Sequence, residues 1–150
     1  MTTETGAVNW GDAQGGGNFE PLSAEAVAAP LDATLSGYEI RQGAKGPYFS
    51  FEFTLDGEAA ELHGSRKFWD IASMSPGGLW GLKEALIAFG IAPERVGPDS
   101  TEAPEPMVQE SVGCSVRLKL SPPKSYPKND GTIGVRNEVD KILASAYAMP

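Results

Sequence analysis

Cations and aromatic rings meet at two places in this chain. Arg66-Lys67-Phe68-Trp69 joins two positive charges to two rings, and Lys124, Tyr126 and Lys128 recur at every second position of the polar run SPPKSYPKNDG, Ser121 to Gly131. Aromatic faces stack on unpaired bases while Lys and Arg follow phosphates, at roughly 1–3 kcal/mol per stacked base, so these residue types suit single-stranded nucleic acid. Tyr48, on the polar side of an alternating run, is the first stacking candidate, followed by Trp69 and then Tyr126. Lys45, Arg66, Lys67, Arg117, Lys119, Lys124, Lys128 and Arg136 are phosphate candidates, and His63 is a further stacking candidate. Each has a plainer alternative: a cation on an outward strand face is usually only solvated, and Trp69 could equally be core.

Other chemistries find little support. The chain has no Gly-x-Ser-x-Gly elbow, no paired-histidine motif and no phosphate-cradling Gly-Lys-Ser/Thr, so no catalytic residue is assigned. One cysteine, Cys114, and one histidine, His63, do not make a structural zinc site, and no cofactor is expected. No apolar run reaches the roughly 18 residues of a membrane span. The start Met1-Thr2-Thr3-Glu4 lacks the basic and apolar segments of a secretory signal. With the lone thiol, this points to a reducing, cytoplasmic setting.

Net charge is −8, which taken alone argues against a polyanionic ligand. Its distribution changes that reading. Residues 1–40 carry six acids and no Lys or Arg, and residues 94–110 carry five acids and one Arg. Residues 111–150 hold six basic and three acidic residues. The acidity sits in segments without a folding pattern, and the patterned parts are near neutral or basic.

The patterned parts begin with Leu31 to Gln42, a strand whose apolar phase shifts at Gly37, which predicts a β-bulge. A turn with Lys45 at its tip follows. Tyr48 to Leu55 alternates strictly, with Phe49, Phe51, Phe53 and Leu55 on one face, as a half-buried antiparallel strand does. Asp56-Gly57 predicts a two-residue hairpin, with Glu58 to Phe68 as the return strand and an unresolved phase break near Gly64. Ser75-Pro76 opens a helix that carries Leu79, Leu82, Leu86 and Phe89 at helical spacing and stops at Gly90; Trp80 lies off that stripe as a candidate protein contact.

Residues 92–110, with four prolines and five acids, read as a loop. Val112 to Leu120 is a fourth strand with Arg117 and Lys119 outward and Cys114 inward, a buried thiol rather than a nucleophile. Thr132 to Asn137 is a fifth strand, and Glu138 to Tyr147 reads as a short C-terminal helix. Residues 1–28 read as an acidic, Gly-rich, disordered tail in which Trp10 and Phe19 stand out. Residues 23–29 could form one helical turn. Residues 29–150 form the domain.

Five strands, the first one bent, with the long helix between the third and fourth, is the order of an OB-fold, a five-stranded partly open barrel used for oligonucleotides. The expected fold is therefore mainly β; an SH3-like barrel or a sandwich is the alternative. The chain resembles small phage-encoded OB-fold proteins associated with single-stranded DNA binding in recombination and replication modules, over roughly residues 31–143. The resemblance rests on Gly46-Pro47-Tyr48-Phe49-Ser50-Phe51-Glu52-Phe53, on Lys67-Phe68-Trp69, and on the helix Gly81-Leu82-Lys83-Glu84-Ala85-Leu86-Ile87-Ala88-Phe89-Gly90-Ile91. The runs Val112 to Leu120 and Gly131 to Val139 add to it. It implies sequence-tolerant binding of single-stranded DNA, a location in the host cytoplasm, a recombinase, annealase or replication protein as partner, and compatibility with a homo-oligomer. Many single-strand binders end in an acidic tail that recruits partners; this chain ends Ala144-Ser145-Ala146-Tyr147-Ala148-Met149-Pro150 and carries its acids at the front. A protein-interaction or DNA-mimic module, for which the acidity itself would matter, is the competing function.

Overall fold

The computed structural model describes residues 20–145. The expectations for residues 1–19, including Trp10 and Phe19, and for residues 146–150 lie outside the described residues. The order is β1 (Leu31–Gly43), β2 (Gly46–Leu55), α1 (Gly57–His63), β3 (Lys67–Ser73), α2 (Leu79–Ala88), α3 (Pro104–Ser111), β4 (Ser115–Leu120), β5 (Lys124–Pro127), β6 (Ile133–Arg136) and β7 (Val139–Ala144). Five strands form one antiparallel sheet in the order β3-β2-β1-β4-β7, and β5 with β6 forms a separate hairpin. The large sheet is open: β3 and β7 are its edges and approach each other without pairing.

The alternation of β2 fixes the core. Phe49, Phe51 and Phe53 are fully buried and Leu55 nearly so. Each buried side chain of this size contributes about 1.5–3 kcal/mol. Phe89, just past α2, meets the Phe51 ring edge-on at 5.2 Å and thereby seats the helix on the sheet. Leu82 and Leu86 share that buried side, while Leu79, expected in the same stripe, is exposed. The bulge in β1 falls between Leu35 and Gly37, as the phase shift predicts. Ser36 is the extra residue, so Leu35 and Tyr38 both reach inward, opposite Phe53 and Phe51.

Four expectations are corrected. Asp56-Gly57 does not turn a hairpin; it starts α1, with Asp56 extended at φ −138° as the N-cap residue. Glu58-Ala59-Ala60-Glu61-Leu62 is a run of strong helix formers, and helix propensity wins over the turn signal. Gly64, at φ 85°, ends the helix in a conformation that favours glycine. The phase conflict between Leu62 and Phe68 disappears because the two residues belong to different elements. Phe68 faces the core opposite Phe53, and Trp69 faces outward opposite Glu52.

The Pro- and acid-rich segment also contains α3. Pro104 and Pro106 stand in the first turn, where proline removes no internal bond. Met107 and Val108 are buried, and Arg95 forks to Glu102 and Glu110 at 2.9 and 2.6 Å. The C-terminal helix is instead strand β7. The β4–β7 ladder shifts register between Leu120↔Val139 and Lys119↔Lys141, which leaves Asp140 as the extra residue. That bulge lets Val139 and Ile142, three apart, both pack against the core, and so produces a helix-like spacing inside a strand.

The boundary of the tail moves too. Ser23 to Ala28 makes a single turn, and Leu22 and Val27 are core residues at 5% and 4% exposure. The domain therefore includes residues 22–28.

Cys114 lies half-buried at the edge of the core, with burial pushing its thiol up to about 11. A thiol raised in the folded state favours folding below its unfolded value and loses that contribution as pH rises through the folded value. Stability should therefore fall between about pH 9 and 11, and iodoacetamide should react slowly at about pH 8, near the ordinary thiol value. Alkylation at the rate of a free thiol at that pH would show that the side chain is open.

Candidate nucleic-acid interface

A groove of about 680 Å3 runs between the outer edge of β3 and the β5–β6 hairpin. Arg66 to Ile71 form one wall; Tyr126, Lys128 and Gly134 to Val139 form the other, and Glu20 and Pro21 also line it. Six of the twelve candidates meet here: Arg66, Lys67, Trp69, Tyr126, Lys128 and Arg136. They come from segments about 60 residues apart, joined because the β4–β7 connection extends as a hairpin beside β3.

Trp69 is half-exposed at 50% on the outer face of β3, beside Ile71 at 65%. Tyr126 is preset by its own hairpin. It pairs with Gly134, and a Cβ built on Gly134 would lie 2.5 Å from Tyr126 Cζ. Only a residue without a side chain leaves room for the ring there. The guanidinium of Arg136 sits 4.4 Å from the Tyr126 ring centroid, a cation–π pair that holds a positive charge at the groove wall.

The cations differ in how they are held. Arg66 is a staple: its Nε donates to the His63 carbonyl at 2.9 Å and an Nη donates to the Glu20 carbonyl. Lys67 pairs with Glu52 at 3.3 Å, and Arg136 with Glu138 at 3.1 Å. Lys128 forms no ion pair among the described residues. Exposed pairs contribute roughly 0–1 kcal/mol, so Lys67 and Arg136 can exchange a carboxylate for a phosphate at little cost. Acids line the groove as well: Glu20, Glu138 and, in the β3 wall, Asp70. The Asp70 carboxylate accepts the Ile71 N–H at 3.0 Å, and burial raises its pKa.

The other six candidates stand outside the groove. Lys45 is exposed at the β1–β2 turn, and Tyr48 is half-buried on the outer face of β2, between Arg41 and Ser73. His63 ends α1 and contributes its carbonyl to Arg66. Arg117 pairs with Asp32 at 3.2 Å on β4, where Lys119 stands opposite Lys141. Strands β2 and β1 separate β4 from β3. Lys124 does not line the groove; it reaches Glu138 at 3.6 Å and Asp140 at 3.9 Å.

Sequence reasoning missed Gly134, Asp70 and Asn137. A glycine inside the strand Ile133–Arg136 was the available signal for a ring lying close above it. Asn137 carries no comparable signal. Its side chain accepts the Leu22 N–H at 2.8 Å and donates to the Leu22 and Ser121 carbonyls at 3.0 and 2.9 Å. It thus pins the start of the domain to the base of the hairpin.

A second groove, about 360 Å3, lies beside α2 and is lined by Leu79, Trp80, Leu86, Val96 and Met107 among others. Trp80 is 70% exposed there, off the buried stripe as its position predicts. Among the described residues no group of acidic, His or Cys side chains could hold a metal ion, and no helix is long and apolar enough to cross a membrane. No family model matches the chain, and no curated protein matches it.

Proposed function

We propose that this protein binds single-stranded DNA with little sequence preference, as an OB-fold protein of a phage replication or recombination module. The observation that carries the proposal is the groove that collects Trp69, Tyr126, Lys67, Lys128 and Arg136 from distant segments. Rings for bases beside cations for phosphates are the two components single-strand binding needs. The OB reading draws on the strand order β3-β2-β1-β4-β7, on α2 between β3 and β4, and on the approach of the two sheet edges. In an OB-fold the loop before the last strand borders the ligand, and that is where the β5–β6 hairpin stands. The net charge of −8 is not that of the groove: Arg66, Lys67, Lys128 and Arg136 line it against Glu20, Asp70 and Glu138, while Glu102, Glu105 and Glu110 of α3 and its approach stand outside it.

A protein-interaction module is the second reading, favoured by Trp80 on its apolar groove. Titration of intrinsic tryptophan fluorescence with oligo-dT separates the two. Quenching by single strand and not by duplex, weakening steeply as salt rises, is the expected result. No binding at about 20 mM salt, where screening is slight, would sink the nucleic-acid reading.

A further inference from the structure

We infer that the open edge of β3 reads unpaired bases through its main chain; this rests on the nucleic-acid reading of the groove. Antiparallel strands direct the N–H and C=O of alternate residues to opposite sides. The Leu55 N–H donates to the Arg66 carbonyl and the Met74 N–H to the Pro47 carbonyl, so even-numbered residues from 66 to 74 face β2. Lys67, Trp69, Ile71 and Ser73 therefore face away from the sheet, and among the described residues no strand pairs with them. Arg66 to Ile71 line the groove as one unbroken run, as a strand edge forming its wall would do.

One of these edge groups is already occupied. The Asp70 carboxylate takes the Ile71 N–H, which blocks continuation of the sheet by another strand at that point. The N–H and C=O of Trp69 and Lys67 remain, a donor and an acceptor side by side on each residue. Backbone polar groups are obligatory hydrogen-bonding groups, and a ligand that displaces water from this wall must satisfy them. An adjacent donor and acceptor is what the Watson–Crick edge of a base presents once it has no partner strand. Lys67, Lys128 and Arg136 along the same groove hold the phosphates, and the bases turn inward to the edge. Duplex is excluded because its Watson–Crick edges are already in use.

The test uses the intact protein and two oligomers of about 16 nucleotides, the upper end of a single OB site. One is oligo-dT and the other carries N3-methylthymine throughout, which removes the donor of the Watson–Crick edge and leaves the ring faces and phosphates. Anisotropy titration should show the methylated oligomer bound at least about threefold more weakly, the order expected for one lost hydrogen bond. Comparison of Trp69→Ala with Trp69→Pro gives a second readout. Both lose the indole, but only proline loses the N–H that faces the groove, a position where an edge strand tolerates proline. Trp69→Pro should therefore bind oligo-dT at least about threefold more weakly than Trp69→Ala, having lost the donor to a base carbonyl that both oligomers keep; equal affinity of the two variants would overturn the edge reading. Equal affinity of the wild-type protein for both oligomers would overturn the edge reading and leave single-strand binding intact. Failure to bind either oligomer would overturn both.

Discussion

Trp69→Ala is expected to lower the affinity for oligo-dT by about 1–3 kcal/mol, roughly fivefold to 150-fold, with little change in the thermal midpoint. The indole is half-exposed on the outer face of β3 and is not part of the buried cluster, so its removal opens no cavity. Phe68, one residue away, behaves in the opposite sense, because it faces the core opposite Phe53. The pair of measurements checks the orientation of the strand as well as the site. Tyr48→Ala should weaken binding less than Trp69→Ala, since Tyr48 stands on the same outer face but outside the groove. A large fall in midpoint for Trp69→Ala, with affinity unchanged, would return the indole to a structural role.

Asn137→Ala destabilises the fold by about 2–4 kcal/mol, because it leaves three partly buried backbone groups without their partner. Leucine, similar in volume, should not rescue it, since the loss is of hydrogen bonds rather than packing. The consequence reaches the groove. Leu22 and the Ser121 carbonyl are released together, and with them Glu20, Pro21 and the base of the hairpin that holds Tyr126. Urea unfolding measures the first effect; oligo-dT affinity well below the unfolding transition measures the second. An Asn137→Ala protein as stable as the parent would show that water replaces the amide without loss.

The sheet core was legible in the sequence wherever burial on one face imposed a period of two. Phe49, Phe51, Phe53 and Leu55 needed no tertiary information, and neither did Val116, Leu118 and Leu120. The bulge in β1 was legible because Gly37 marked it. The same device in β7 was not, since the extra residue there is Asp140, whose type gives no warning, and the three-residue spacing of Val139 and Ile142 mimics a helix. For Glu58 to Leu62 the turn signal of Asp56-Gly57 and the helix propensity of the following residues point to different structures. Only the pairing of β2 with Lys67 to Ser73, rather than with residues nearer the turn, decides between them.

Residue types alone pointed to one kind of chemistry, rings close to cations in the sequence, as at Lys67-Phe68-Trp69 and from Lys124 to Lys128. They could not determine which of those residues meet. Lys67 and Trp69 share a groove with Tyr126, Lys128 and Arg136 because the β5–β6 hairpin extends past the open edge of β3, a long-range relation that no local pattern encodes. Which way Trp69 points was equally a tertiary decision, made by the register that places Phe68 over Phe53. Local periodicity reports which face of an element is buried; the groove lies where two elements distant in sequence face each other, and long-range packing fixes that.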